Sequence, residues 1–394
     1  GSRARERQGM IRTLADIAAA RARRAFGRPS PPFLMTLNIT NRCNARCKMC
    51  DIHGWPQGDE LPAARLGEIV RDPALSKLEV VRVTGGEPFL RDDLPEFFRL
   101  ATERAPSLRF FYVTTNGLLP DRAAELVESA GSLARLLHIQ VSLDALNDVH
   151  DEARGVPGAS ERAMETLRRL SELKKRLGFH AGINQTALKS NLDQIEPVGR
   201  LAESLGLGHS VFLGAKNHEG KTDAAPGGFE TQEDMTRAEI ESFYRSHAAA
   251  KGSRAAARAR SRSAGAFLRD VSEDYLNEGG ANRLLRGKSE PAPPCMAMFA
   301  HFRMSPGGDV FPCSGLRGET AGNAAAEPFS SLWRGPRADA VRRKVLSCPG
   351  CWIECDINPS VFFSGAVVPW FVRKAASDKE FRRRYFVAAR GRDD

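Results

Sequence analysis

The sequence predicts an α/β fold, a partial (β/α)6 barrel with a smaller C-terminal region attached, and three observations carry that expectation. From residue 33 to residue 214 a short apolar run and a longer helical pattern alternate six times, the signature of βα units around a parallel sheet. Six units fall short of a closed eight-stranded barrel, so the mouth should open to one side, with ligands gathered at the carboxyl ends of the strands. The chain has 394 residues, too many for the usual single core, and its last five cysteines lie beyond the point where the alternation stops.

Taken in order, residues 1–32 hold RTLADIAAARARRAFGR, an amphipathic helix by pattern with Ile11, Leu14, Ile17 and Ala18 on one side. It can pack across the open end of the barrel, or rest as a peripheral contact on a membrane surface or a partner. Within 33–214 the short apolar runs put strands at 33–39, 79–84, 109–114, 138–143, 180–187 and 209–213. The longer patterns between them put helices at 61–71, 94–104, 122–129, 160–177 and 192–205. Residues 215–294 form an insertion: a polar, glycine-rich stretch at 216–230, a helix at 234–249, a basic linker at 251–262, and helices at 264–276 and 282–286. A second cysteine region spans 295–360, with a hairpin and a helix at 332–346, and 361–394 is a tail.

The net charge of +10 invites a nucleic-acid partner, but the basic linker lacks aromatics for base stacking, so none is expected. An arginine surplus suits a phosphorylated or nucleotide-linked substrate and is equally the mark of a coding bias. No apolar run reaches the ~18 residues a spanning helix needs. The first apolar segment is short and broken by arginines, unlike a secretory signal. Eight cysteines without an export signal point to metal ligands in the reducing cytoplasm.

After the first strand comes TNRCNARCKMCDIH, residues 40–53, with Cys43, Cys47 and Cys50. Three thiolates on one loop can converge on a metal centre but are one ligand short of a closed tetrahedral site, and the open position is where chemistry can occur. Zinc sites usually show paired CxxC motifs or a CxxC with a later HxxxH, and neither is present; His53 is the nearest fourth ligand for a structural zinc. After the second strand comes TGGEP, where Gly85 and Gly86 let the backbone approach a ligand closely and Glu87 brings a carboxylate. The third strand ends in TTNG, with Asn116, and the fourth in VSLDA. Ser142 and Asp144 alternate with Val141 and Leu143, so they share one face; Asp144 is equally suited to capping a helix.

CxxxCxxC followed by GGE resembles the radical S-adenosylmethionine (SAM) superfamily. The resemblance implies that Cys43, Cys47 and Cys50 hold a 4Fe-4S cluster whose fourth iron takes SAM. It gives Gly85, Gly86 and Glu87 the SAM ammonium, and Asn116, Ser142 and Asp144 the SAM pocket. Arg154, in HDEARGVPG, answers to the SAM carboxylate, the competing reading being a solvated loop arginine. Asn184 and Asn191 answer to the ribose, although Asn191 is also placed to cap the helix from 192. Met49 departs from the aromatic usual before the third cysteine and can supply a sulfur contact instead.

Between Cys295 and Cys313 lies FAHFRMSPGGDVFPC, two apolar runs flanking a Pro-Gly-Gly-Asp turn, a hairpin by pattern. Cys348, Cys351 and Cys355 follow in CPGCWIEC, and a four-thiolate zinc ribbon would account for the set as well. Cys295, the GxxxxC ending at Cys313 and the later CxxC resemble the SPASM/Twitch iron-sulfur auxiliary domain of radical SAM enzymes. That implies one second 4Fe-4S cluster on Cys295, Cys313, Cys348 and Cys351. Cys355 is then a substitute ligand or a thiol that donates a hydrogen atom to a substrate.

The family resemblance implies an enzyme that cleaves SAM to a 5′-deoxyadenosyl radical, fed by a flavodoxin or ferredoxin-type donor. The expected substrate is a small polyhydroxylated molecule, a sugar or aminocyclitol, undergoing dehydrogenation, dehydration or epimerisation. Only 32 residues precede the first strand, which argues against a leader-binding domain there. Modification of a ribosomal peptide is the alternative, and a non-catalytic iron-sulfur or zinc protein the third reading. Lys216, His218, Glu219 and His301 are candidate substrate contacts or ordinary loop residues.

Overall fold

The computed structural model describes residues 15–55, 57–215, 231–246 and 264–387. Six strands run parallel in chain order: β1 (Leu34–Thr40), β2 (Val80–Gly85), β3 (Phe110–Thr115), β4 (Leu137–Ser142), β5 (His180–Ala187) and β6 (Gly208–Leu213). Helices Ala63–Val70, Leu94–Arg104, Pro120–Ala130, Ala159–Leu177 and Ile195–Ser204 fall between them. This is the partial (β/α)6 barrel that the alternation predicts. Along β2 to β5 one set of side chains, including Val81, Phe111, Ile139 and Ile183, packs with Leu66, Phe97, Leu126 and Leu167 of the helices. Alternation turns the other set, including Arg82, Tyr112, His138, Ser142 and Asn184, to the opposite face.

All seven residues of β1 are buried, because it has strands on both sides. One neighbour is β2; the other comes from far along the chain. β7 (His301–Met304) pairs parallel with β1, Leu34 opposite His301 through Leu37 opposite Met304. β8 (Asp309–Phe311) and β9 (Gly322–Asn323) follow antiparallel, completing a nine-stranded sheet. The hairpin turn lies where the sequence put it, with Gly308 at φ +95°.

The chain divides into two compact units, one of residues 31–235 and 297–347, the other of residues 1–30, 236–296 and 348–394. In the second unit a core of Val271, Tyr275, Leu276, Ile357, Val361, Trp370 and Phe381 joins the insertion to the C-terminal helices. The N-terminal helical segment belongs here too, and Arg24 Nε donates to Cys295 O at 2.6 Å.

Four local expectations are corrected. HDEARGVPG is not all loop: Asp148–Arg154 is a helix capped by Asn147, whose side chain accepts from Val149 N. Within the insertion the helices expected at 264–276 and 282–286 are one continuous helix, Ala264–Arg286. A Cβ at Gly279 would collide with the Trp352 ring and one at Gly280 with the Tyr244 hydroxyl, so these glycines seat rings and do not end the helix. The 332–346 segment is two helices, Phe329–Arg334 and Pro336–Ser347, broken at Gly335. Beyond Cys351 the chain forms helices Glu354–Phe363 and Val367–Ser377, whose apolar residues follow no clear helical stripe in the first. The basic linker and the 216–230 stretch, with Lys216, His218 and Glu219, lie outside the described residues.

Buried Arg91 braces the end of β1: Nη1 donates to Ile39 O at 3.0 Å, Nη2 to Leu61 O at 2.9 Å and Nε to Asp93 Oδ1 at 2.8 Å. Arg91→Ala removes all three and leaves Asp93 without its counter-charge, an expected loss of about 3 kcal/mol. The urea midpoint should fall with the slope unchanged.

Candidate functional site

The cysteine loop leaves β1 at Thr40 and is held from two sides. On one side the turn after β2 donates to it, Gly86 N to Thr40 O at 2.7 Å and Glu87 N to Arg42 O at 2.8 Å. A Cβ at Gly85 would strike Thr40 O and one at Gly86 would strike Arg42 O. The two glycines therefore bring backbone against the cysteine loop. On the other side Arg46 N donates to Arg154 O at 2.8 Å and Lys48 N to Ala153 O at 2.9 Å. Gly155, at φ +63°, ends that helix hard against Arg46.

The three thiols share an apolar pocket with Ala45, Met49, Leu118 and Val156. Burial pushes Cys43 up to about 11, helped by repulsion from Cys47 and Glu87. Cys50 goes up to about 12, again by burial first and then by Cys47. The thiols are near enough to repel one another, though among the described residues no three His, Cys, Asp or Glu side chains already enclose a common metal-binding point. Burial and Arg46 push the His53 imidazole down.

Glu87 is buried at the base of the loop. Its carboxylate accepts from Phe89 N at 3.1 Å, Thr115 Oγ1 at 2.8 Å and Asn116 N at 2.7 Å, joining β2 to the end of β3. Asn116 in turn donates from Nδ2 to Asn44 Oδ1 at 2.7 Å and, at 3.9 Å, to Cys43 Sγ. Ser142 ends β4 opposite Asn184 on β5. Asn191 is buried and makes turn contacts, accepting from Leu188 N at 2.8 Å and donating to Thr186 O at 2.9 Å.

Beyond β4, Asp144 is fully buried and ion-paired with Arg154, Nη2 to Oδ2 2.7 Å. It caps no helix. Burial alone would raise its carboxyl, but Arg154 and His150 hold it below the usual range. Arg154 is a buried helix-end residue rather than a solvated one, and its Nη1 donates to Cys47 Sγ at 3.7 Å. His150 escaped the sequence reading: Asp144 N donates to its Nδ1 at 3.0 Å. The signal was its i, i+4 relation to Arg154, legible only once 148–154 is taken as a helix.

Among the described residues, Nε2 of His150 and Nε of Arg154 are buried without a hydrogen-bond partner. Unsatisfied polar atoms beside soft thiols suit a cluster on Cys43, Cys47 and Cys50 with a polar ligand next to it, so the residues fit the groups the motifs imply.

Cys295, Cys348, Cys351 and Cys355 fall in one unit and Cys313, just after β8, in the other. Burial pushes Cys351 up to about 11, followed by Asp356, Cys295 and Cys348. Cys355 is exposed in the first turn of Glu354–Phe363, and none of the described cysteines is in a disulfide. His301 is a buried strand residue and not part of a loop.

The Radical SAM superfamily matches residues 37–187, and SPASM, an iron-sulfur cluster-binding domain, matches residues 295–355. Pre-heme d1 synthase of Dinoroseobacter shibae is 31% identical over 214 residues, 51% of this chain and 48% of that enzyme. The chain thus spans about half the length of that relative. AdoMet-dependent heme synthase of Methanosarcina barkeri is 26% identical over 77% of this chain and 82% of its own. Sporulation killing factor maturation protein SkfB of Bacillus subtilis is 28% identical over 47% and 42%. In fold the chain is similar to Streptococcus suis SuiB bound to precursor peptide SuiA, with TM-score 0.55, 15% identity, and 85% of this chain and 71% of that one covered.

Burial pushes the Glu87 carboxyl up to about 7, against hydrogen bonds that favour its charged form. A raised folded value means the neutral acid stabilises the fold. That contribution is complete below the unfolded value of 4.5 and is lost as pH rises through about 7. Relative to Glu87→Gln, the wild-type urea midpoint should therefore drop between about pH 5 and about pH 8; equal midpoint differences at both would contradict the burial. Cysteine spacing, barrel, GGE turn and the two domain matches agree: the chain belongs to the radical SAM superfamily and carries a C-terminal SPASM iron-sulfur domain.

Proposed function

We propose that the protein is a radical SAM enzyme that modifies a peptide. Support comes from SkfB, a maturation protein similar over 47% of this chain, and from a fold shared with SuiB, which was crystallised with its precursor peptide. The small polyhydroxylated substrate expected from the sequence finds no support among these relatives. A second reading, a tetrapyrrole substrate, is favoured by one observation, the alignment with a heme synthase along most of both chains.

In this reading Cys43, Cys47 and Cys50 hold the first 4Fe-4S cluster, and Gly85, Gly86, Glu87, Asn116, Ser142, Asp144, Arg154 and Asn184 surround SAM. When bound, cluster and SAM supply reductive cleavage to a 5′-deoxyadenosyl radical that takes a hydrogen atom from the substrate. The chain's own share is positioning and the exclusion of stray donors. Arg154 offers a fixed positive charge beside Cys47, Asp144 keeps that arginine in place, and Glu87 ties the ends of β2 and β3 under the loop. Cys295, Cys313, Cys348 and Cys351 are the proposed ligands of the auxiliary cluster. Radical SAM enzymes use electron donors, and a flavodoxin or ferredoxin-type protein suits this one. Among the described residues no helix is long and apolar enough to cross a membrane, and oxygen-sensitive thiol-ligated clusters suit the cytoplasm.

Reduced, reconstituted enzyme incubated with SAM and deuterated peptides encoded beside its gene should transfer deuterium into 5′-deoxyadenosine. Label arriving only from a deuterated porphyrin would favour the second reading, and no SAM cleavage at all would favour a non-catalytic protein. Cys355→Ala should leave the iron content of both clusters intact if Cys355 is the hydrogen-atom donor; loss of the auxiliary iron would make it a ligand.

A further inference from the structure

We infer that Arg154 tunes the reduction potential of the first cluster through Cys47, and that Asp144 sets how much of its charge the cluster feels. The inference rests on the reading that Cys47 is a cluster ligand. It adds to the SAM-carboxylate role that the sequence suggests, because it operates with no SAM bound.

Three observations carry it. Arg154 Nη1 donates to Cys47 Sγ at 3.7 Å from a buried position. A cation donating to a ligand sulfur stabilises the more negative, reduced state, and burial spares the interaction from solvent screening. The distance is also fixed by backbone: the residues on either side of Cys47, Arg46 and Lys48, donate their amides to the carbonyls of Arg154 and Ala153. Guanidinium and sulfur therefore hang from one clamp.

Finally, the counter-charge cannot follow the arginine away. Asp144 Oδ1 accepts from Thr186 N at 2.9 Å, its amide is held by His150 Nδ1, and its carbonyl accepts from Gln185 Nε2 at 2.8 Å. Asp144 thus offsets a set share of the Arg154 charge at 2.7 Å. Asn116, the neutral donor to Cys43, is longer at 3.9 Å and engaged by Asn44, so its influence is smaller.

The test is a redox titration of substrate-free holoenzyme followed by EPR, using the reduced-cluster signal that changes on adding SAM and keeping the auxiliary signal as internal control. Arg154→Gln should shift the midpoint to more negative potential. Arg154→Lys should fall between it and wild type. Asp144→Asn should shift the midpoint the other way, with the auxiliary midpoint unmoved in all three. Opposite signs are what a merely structural role would not produce, and Arg154→Lys with Asp144→Asn carries the comparison if Arg154→Gln binds no iron. An unmoved midpoint, or shifts of one sign for both positions, overturns the inference alone. A wild type with no SAM-responsive signal overturns the assignment of Cys47 as a ligand and the inference with it.

Discussion

The cysteine loop has no regular secondary structure, and four backbone hydrogen bonds to two distant segments set its course. Gly86 and Glu87 hold its start; Ala153 and Arg154 hold its middle. Three thiols that repel one another would not otherwise be kept on one short loop. The barrel serves this arrangement by bringing the ends of β2 and β4 to the end of β1, so that the clamps arrive from both flanks. Glycine is obligatory at 85 and 86 because carbonyl oxygens of the loop occupy the space a side chain would need.

Much of this was legible in the sequence because it is periodic or locally spaced. The six strands appear as apolar runs, and the cysteine and GGE motifs are short enough to read without knowing the fold. What stayed hidden depends on contacts between distant residues. The helix at 148–154 is seven residues long, too short for a periodic signal, and without it Arg154 stays open between a SAM-facing and a solvated reading and His150 reads as nothing. For Asp144 the cap stayed open beside the pocket reading because aspartate after a strand often is a cap; the buried arginine that decides against it is ten residues further on.

The insertion shows the same limit from the other side. Two adjacent glycines in a helical pattern read locally as a break. Here they sit inside a 23-residue helix because Trp352 and Tyr244 lie against them, and Trp352 Nε1 donates to Leu276 O at 3.1 Å. Arg283 stacks 3.9 Å above the same indole. Trp352 stands between Cys351 and Cys355, so the helix from the least interpretable part of the sequence is what orders the neighbourhood of those thiols.

The pairing of β7 with β1 has a wider bearing. Four residues contributed from beyond position 300 cover one side of the first strand, so the barrel is not a portable module that could be cut loose from the C-terminal part of the chain. A chain ending before residue 295 would present β1 as a naked, apolar hydrogen-bonding edge, the kind of surface that recruits other chains into aggregates. Synthesis order matters for the same reason: the strand carrying the cysteine loop leaves the ribosome well ahead of its last neighbour, β7, and must wait for it.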